Sequence, residues 1–252
     1  MLSAILTADI FAIFLLFARV GSAFVMLPTI GENFFPTRTR LLFAVLVSLV
    51  SAPILAQNLP AMPTQLGVMI EMVAIEIFYG IFIGTAAKVM FNALSMFGTF
   101  ISMFTGLSSA MLFNPAIGEQ GSFYSVFFSL LGTALFFASD MHHLLIRAVL
   151  ESYFYFLPGR LPPMGDFADS MARIAADAFK LGFELSAPFI VITSLLYLLL
   201  GVMSRVMPQL QVFFVALPVQ ILLGYVIVIT ALSGIMIWFL DRYEDFISQF
   251  IS

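Results

Sequence analysis

The segment Asp140-Met-His-His143 holds both histidines of the chain beside an acid, so metal or acid–base chemistry is sought there first. Adjacent helical positions point about 100° apart, whereas two metal ligands on one helix face sit at i and i+4. Neither histidine has that spacing to the other or to Asp140. The expectation is therefore no metal site, only polar groups that cap or bridge a helix break. The chain has no cysteine, which removes thiolate ligands, thiol nucleophiles and disulfides. A nucleophilic triad would have to form around the two histidines. No converging set of groups supports one, so no catalytic or cofactor-binding residue is assigned and the chain is read as a non-enzyme.

Ion transport is the next chemistry to weigh. Glu71 and Glu76 are five positions apart, about 140° around a helix, and do not share a face. Lys88 lies twelve residues beyond Glu76, about 18 Å along a helix, too far to pair within it. A proton relay needs acids that converge. These three, with Arg19 in the first apolar stretch, are read as interfacial charges that pair with other helices or subunits.

Two further segments carry structure in their composition. Gly106 to Gly121 joins two apolar blocks, yet is itself small, apolar and rich in glycine. Non-helical backbone of that kind at membrane depth is tolerated where protein buries it or where it lines a cavity. Met111, Leu112 and Phe113 suit the lumen of a pore, with Asn114-Pro115 turning the chain; the other reading is a tight interhelical turn. In Gly201 to Leu210, Pro208 removes a helix hydrogen bond and frees carbonyls, and Arg205 and Gln209 are the donors at hand. This is a rigid polar corner between two apolar helices, or a contact point for another subunit.

The elements that position these residues are all helical in period and length. Six apolar blocks run from about Ile10 to Leu27, Leu41 to Leu55, Leu66 to Gly106, Ser122 to Leu157, Leu185 to Met203 and Val212 to Leu240. The third would overshoot a hydrocarbon core of about 30 Å, so it is two helices or one that projects beyond the bilayer. An amphipathic helix starting near Asp169 leads into the fifth block. Pro218 lies inside the sixth, and Asp241 to Ser252 reads as a short amphipathic helix of its own. Nothing shows the ten-residue alternation of an outer-membrane strand.

Composition fixes the class. Hydrophobic residues make up 62%, mean hydropathy is +1.10 and only 10% are Asp, Glu, Lys or Arg, against roughly 25% in soluble domains. The reading is an all-α integral membrane protein. The net charge of −4 argues against nucleic acid as a partner. The first basic residue is Arg19, so the first apolar block does not resemble a cleaved signal and is expected to be retained. The ten Lys and Arg are scattered, which gives the positive-inside rule little to act on. Charges inside nearly every block suggest helices buried against partners. A secondary transporter for a small molecule or ion is the alternative, but no paired short, broken helices occur in matching halves.

Three stretches together resemble a known family. Asn114-Pro-Ala-Ile-Gly118, the helix ending Phe137-Ala-Ser-Asp140-Met-His-His143, and Glu151-Ser-Tyr-Phe154 to Leu157-Pro158 are similar to the middle of FliR/SctT export-gate proteins. Arg205-Val-Met-Pro-Gln-Leu210, then Ala216-Leu-Pro-Val-Gln-Ile221 and Gly224, resemble their C-terminal signature. Arg19 with Pro28, and Pro36 with Arg38 and Arg40, match the N-terminal region less specifically. The chain departs from the pattern at Asn114, where the family often has Asp, and at Met141, where it often has Gly. The flagellar branch fits better than the virulence injectisome.

The resemblance implies a non-enzymatic subunit of a type III secretion gate in the bacterial inner membrane, at the flagellar basal body. It would assemble with FliP-like and FliQ-like subunits, and work with FlhB-like and FlhA-like proteins, to pass unfolded proteins. It implies long, Pro-broken helical hairpins, with residues 1–180 FliP-like and 181–252 FliQ-like. Gly106, Met111, Leu112, Phe113, Asn114, Pro115, Gly118 and Gly121 would belong to a plug. Arg205, Pro208, Gln209, Pro218 and Gln220 would form a subunit-packing corner.

Overall fold

The computed structural model describes residues 2–31, 36–55, 59–107, 122–160, 164–207, 209 and 212–249, and no strand occurs among them. The helices are α1 (Leu2–Met26), α2 (Thr37–Leu55), α3 (Leu66–Phe91), α4 (Ala93–Phe104), α5 (Phe123–Ala138), α6 (Met141–Tyr155), α7 (Met164–Leu185), α8 (Ala187–Val206) and α9 (Val212–Ser248). Among the described residues, four stretches are long and apolar enough to cross a membrane: Thr37–Leu55, Leu66–Phe104, Ala187–Val206 and Ala216–Ser248. The pair α5 and α6 adds a fifth if it is counted as one broken span. The all-α membrane class read from composition is the class observed.

Local sequence explains most boundaries. Pro36 precedes α2, and its carbonyl accepts from the amides of Thr39 at 3.0 Å and Arg40 at 3.2 Å. Pro188 falls in the first turn of α8, where its missing N–H costs no helical bond. Two breaks inside apolar blocks carry no proline. The third apolar block divides at Asn92 into α3 and α4. Between α5 and α6 the backbone turns at Asp140, which is left-handed (φ 58°, ψ 17°), a conformation that Asp tolerates better than most residues. Pro53 and Pro218 lie inside α2 and α9 without ending them. The separate C-terminal helix expected from Asp241 does not form. α9 continues unbroken for 37 residues, because that stretch has charges but neither Pro nor Gly to stop it.

The chain divides into two compact units. The first comprises Met1–Met90, Ser139–Ala175 and Glu244–Ser252. Here α1 is the central element, with Leu15, Leu16, Val20, Ala23 and Phe24 fully buried. Leu16 clusters with Leu55 and Tyr153, and Phe24 stacks on Phe43 of α2 at 5.4 Å. Helices α1 and α3 approach closely because α3 carries Gly80 and Gly84 four residues apart. A Cβ on Gly80 would strike Ser22 Oγ and the Arg19 carbonyl, and one on Gly84 would come within 2.7 Å of the Ala23 carbonyl. This is the small-residue spacing that lets membrane helices pack backbone to backbone.

The second unit comprises Phe91–Ala138 and Ala176–Tyr243. Its core is aromatic. Phe97 packs against Phe128 at 4.6 Å and Phe189 at 6.0 Å, and Phe91 against Phe136 and Phe239, both at 5.9 Å. Gly98 lets α4 lie on the backbone of α5 at Ser125, and Ser95 and Ser125 share a hydroxyl hydrogen bond of 2.8 Å.

Candidate functional site

In the first unit, the charges singled out from the sequence behave differently from one another. Arg19 and Glu76 meet as a fully buried ion pair, Nε to Oε2 at 2.7 Å, with Nη2 donating to Oε1 at 3.2 Å. The paired N–H donors match the two carboxylate oxygens, the strongest geometry this ion pair offers. Two further donors are used: Nη1 to Ser152 Oγ at 3.0 Å, and Nη2 to the Phe156 carbonyl at 3.0 Å. The guanidinium lies over two rings, 3.8 Å from the centroid of Tyr153 and 4.9 Å from that of Tyr79. One arginine thus ties α1 to α3, to α6 and to the residue that follows α6. Glu71, one turn and a half earlier on α3, is exposed, and Lys88 is half-buried. Sequence reasoning weighed Glu76 against charges of its own helix and so missed Arg19. The available signal was that both are lone charges in apolar stretches, and such charges need each other.

In the second unit, Gly106 is the one residue of the expected plug set that is described. α4 ends at Phe104, and Gly106 is left-handed (φ 74°), as a residue closing a helix C-terminus commonly is. The Thr105 amide donates to the Ile101 carbonyl at 2.8 Å. Gln220 is buried on α9, and its Nε2 donates to the Phe104 carbonyl at 2.6 Å and to Tyr197 Oη at 3.1 Å. It supplies a partner for a helix-end carbonyl that has none within its own helix. Gly106 sits against this amide, so an added Cβ would lie 3.4 Å from Gln220 and 3.3 Å from Leu217. Met111, Leu112, Phe113, Asn114, Pro115, Gly118 and Gly121 lie outside the described residues.

The residues of the expected corner differ in burial. Arg205, Gln209 and Pro218 are exposed, while Gln220 is buried. Pro208 lies outside the described residues. Exposed charge at the end of an apolar helix, next to the exposed Val206 and Met207, presents a polar head on an otherwise greasy surface.

Asp140, His142 and His143 are closer than regular helical spacing suggests. Their ligand atoms all lie within 4.8 Å of one another, and the two imidazole centroids are 4.0 Å apart. The helix begins only at Met141, so the left-handed Asp140 folds back over the first turn.

Against this geometry, known proteins are informative. The family model described as bacterial export proteins, family 1, matches residues 10–246. The chain belongs to the bacterial export proteins, family 1. Similar members include the flagellar biosynthetic protein FliR of Caulobacter vibrioides, 37% identical over 236 residues that cover 94% of each chain. FliR of Aquifex aeolicus is 28% identical over 255 residues, covering 97% of this chain and 95% of the relative. The secretion system apparatus protein SsaT of Salmonella typhimurium is 30% identical over 149 residues, covering 59% and 58%. For a member of the bacterial export proteins, family 1, the match includes both buried nodes, Arg19 with Glu76 and Gly106 with Gln220.

Proposed function

We propose that this protein is a non-enzymatic subunit of a flagellar type III protein export gate in the bacterial inner membrane. The observation that carries the reading is the end-to-end family match, with full-length similarity to flagellar FliR proteins. It assembles with FliP-like and FliQ-like subunits, and works with FlhB-like and FlhA-like proteins, to pass unfolded flagellar proteins through the membrane at the basal body. Residues 1–180 correspond to the FliP-like part and 181–252 to the FliQ-like part.

Several features support a subunit whose surface is completed by neighbours. Long rows of large apolar side chains are exposed, among them Leu195, Leu198, Leu199 and Val202 on α8 and Leu222, Val226 and Ile229 on α9. Lipid or partner helices cover such faces. The segment from Gly106 to Gly121 acts as the plug: Met111, Leu112 and Phe113 form an apolar constriction that closes by dewetting. Substrate displaces it about Gly106, Gly118 and Gly121, with Asn114-Pro115 setting the turn. Arg205, Pro208, Gln209 and Pro218 face the neighbouring subunits, and Gln220 anchors the plug base.

Native mass spectrometry on the tagged chain, co-expressed with FliP-like and FliQ-like proteins, tests the assignment. One copy of this chain in a stable complex with several copies of each partner is the expected mass. A monodisperse chain that ignores both partners would overturn it.

A further inference from the structure

We propose that Asp140, His142 and His143 bind a divalent metal ion of the borderline class, with Zn²⁺ the ion that fits best. Two imidazoles and a carboxylate suit that class. The distances suit it as well. His143 Nδ1 and Asp140 Oδ1 are 3.7 Å apart, too far for a hydrogen bond. Two ligand atoms on a tetrahedral Zn²⁺ are about 3.3 Å apart at metal–ligand distances of about 2.0–2.1 Å. The full set lies within 4.8 Å, so side-chain rotations of a few tenths of an ångström to about 1 Å bring three ligands onto one ion. Asp140 and His143 are free to make them, at 77% and 72% side-chain exposure.

The surroundings favour a cation. A cavity of about 260 Å³ opens beside Asp140 and His143 and is also lined by Glu244. The one arginine on its wall, Arg147, has its charge engaged by Glu151 at 2.7 Å. The carboxylates of Asp140 and Glu244 oppose the positive end of the α6 dipole. Three protein ligands leave a position open for water, and the bound ion pins the left-handed turn at Asp140 to the first turn of α6.

Cobalt substitution tests this on the full chain, purified in detergent and carrying no polyhistidine tag. One Co²⁺ per chain with visible ligand-field absorption, displaced by Zn²⁺, is expected. Asp140→Asn and His143→Ala are each expected to weaken binding at least about tenfold, since each removes one of three ligands. Zn²⁺ is also expected to raise the thermal midpoint of the unaltered chain and not that of His143→Ala. Absent binding, or equal binding by the unaltered chain and by the His142→Ala/His143→Ala pair, overturns the proposal.

Discussion

The Arg19 guanidinium and the Glu76 carboxylate, 57 positions apart in sequence, form a two-point ion pair with neither side chain exposed. Removing one partner of such a pair leaves an uncompensated buried charge and costs about 3–5 kcal/mol. Arg19→Met and Glu76→Met are each expected to shift unfolding in detergent by that amount. The double variant is expected to recover most of the loss, because it leaves no uncompensated buried charge, although Ser152 and the Phe156 carbonyl lose their arginine donor. Chemical unfolding of the three variants checks this, and a double variant as unstable as either single one would contradict it.

Close approach of α1 and α3 depends on two absent side chains. At Gly84 a methyl group would meet the Ala23 carbonyl and Met26 Cβ, both at 2.7 Å. Overpacking of this kind costs about 1–3 kcal/mol. Gly84→Val is expected to fall at or above the upper end, and Gly67→Val, where nothing lies within 4 Å, to be nearly neutral. Paired thermal melts of the two variants measure the contrast.

The amide of Gln220 holds the last carbonyl of α4 just before the chain enters the proposed plug. Gln220→Leu keeps the volume and loses the donor, at about 1–3 kcal/mol for the stranded carbonyl. Gly106→Ala forces a side chain into a left-handed backbone at about 1–2 kcal/mol. Both are expected to raise ion leakage through the assembled gate, read as conductance in planar bilayers. Unchanged conductance in both would separate this anchor from gating.

Much of the architecture was legible because apolar helices announce themselves by length: all six blocks appear at their expected places. What escaped was long-range or a matter of stops. Arg19 and Glu76 were visible as lone charges, but their pairing is decided by which faces of α1 and α3 meet, and Gly80 and Gly84 set that only once the two helices are packed. The extension of α9 through Asp241 to Ser248 was missed because polarity was read as an ending, although charged residues are compatible with a helix that continues. The 4.0 Å approach of the His142 and His143 rings and the left-handed Asp140 beside them are announced by no spacing rule in the sequence.

Arg205 is exposed at the end of α8, so in the proposed gate its role belongs to the assembly. Arg205→Glu is expected to change the stability of the isolated chain by no more than about 0.5 kcal/mol. Co-purification with the FliP-like and FliQ-like subunits is expected to fall severalfold. A destabilised monomer with intact co-purification would reverse that assignment.

The first compact unit is assembled from three separated stretches, the last of which begins at Glu244. During synthesis, residues 1–90 therefore emerge long before the stretches that complete their packing, residues 139–175 and 244–252. Arg19 in particular leaves the ribosome well ahead of Glu76, and further still ahead of Ser152. Until then a lone guanidinium must be kept hydrated or held by another protein. Insertion of this chain is thus a process with a late closing step, and removing a few residues after Tyr243 reaches back to the unit that was begun first.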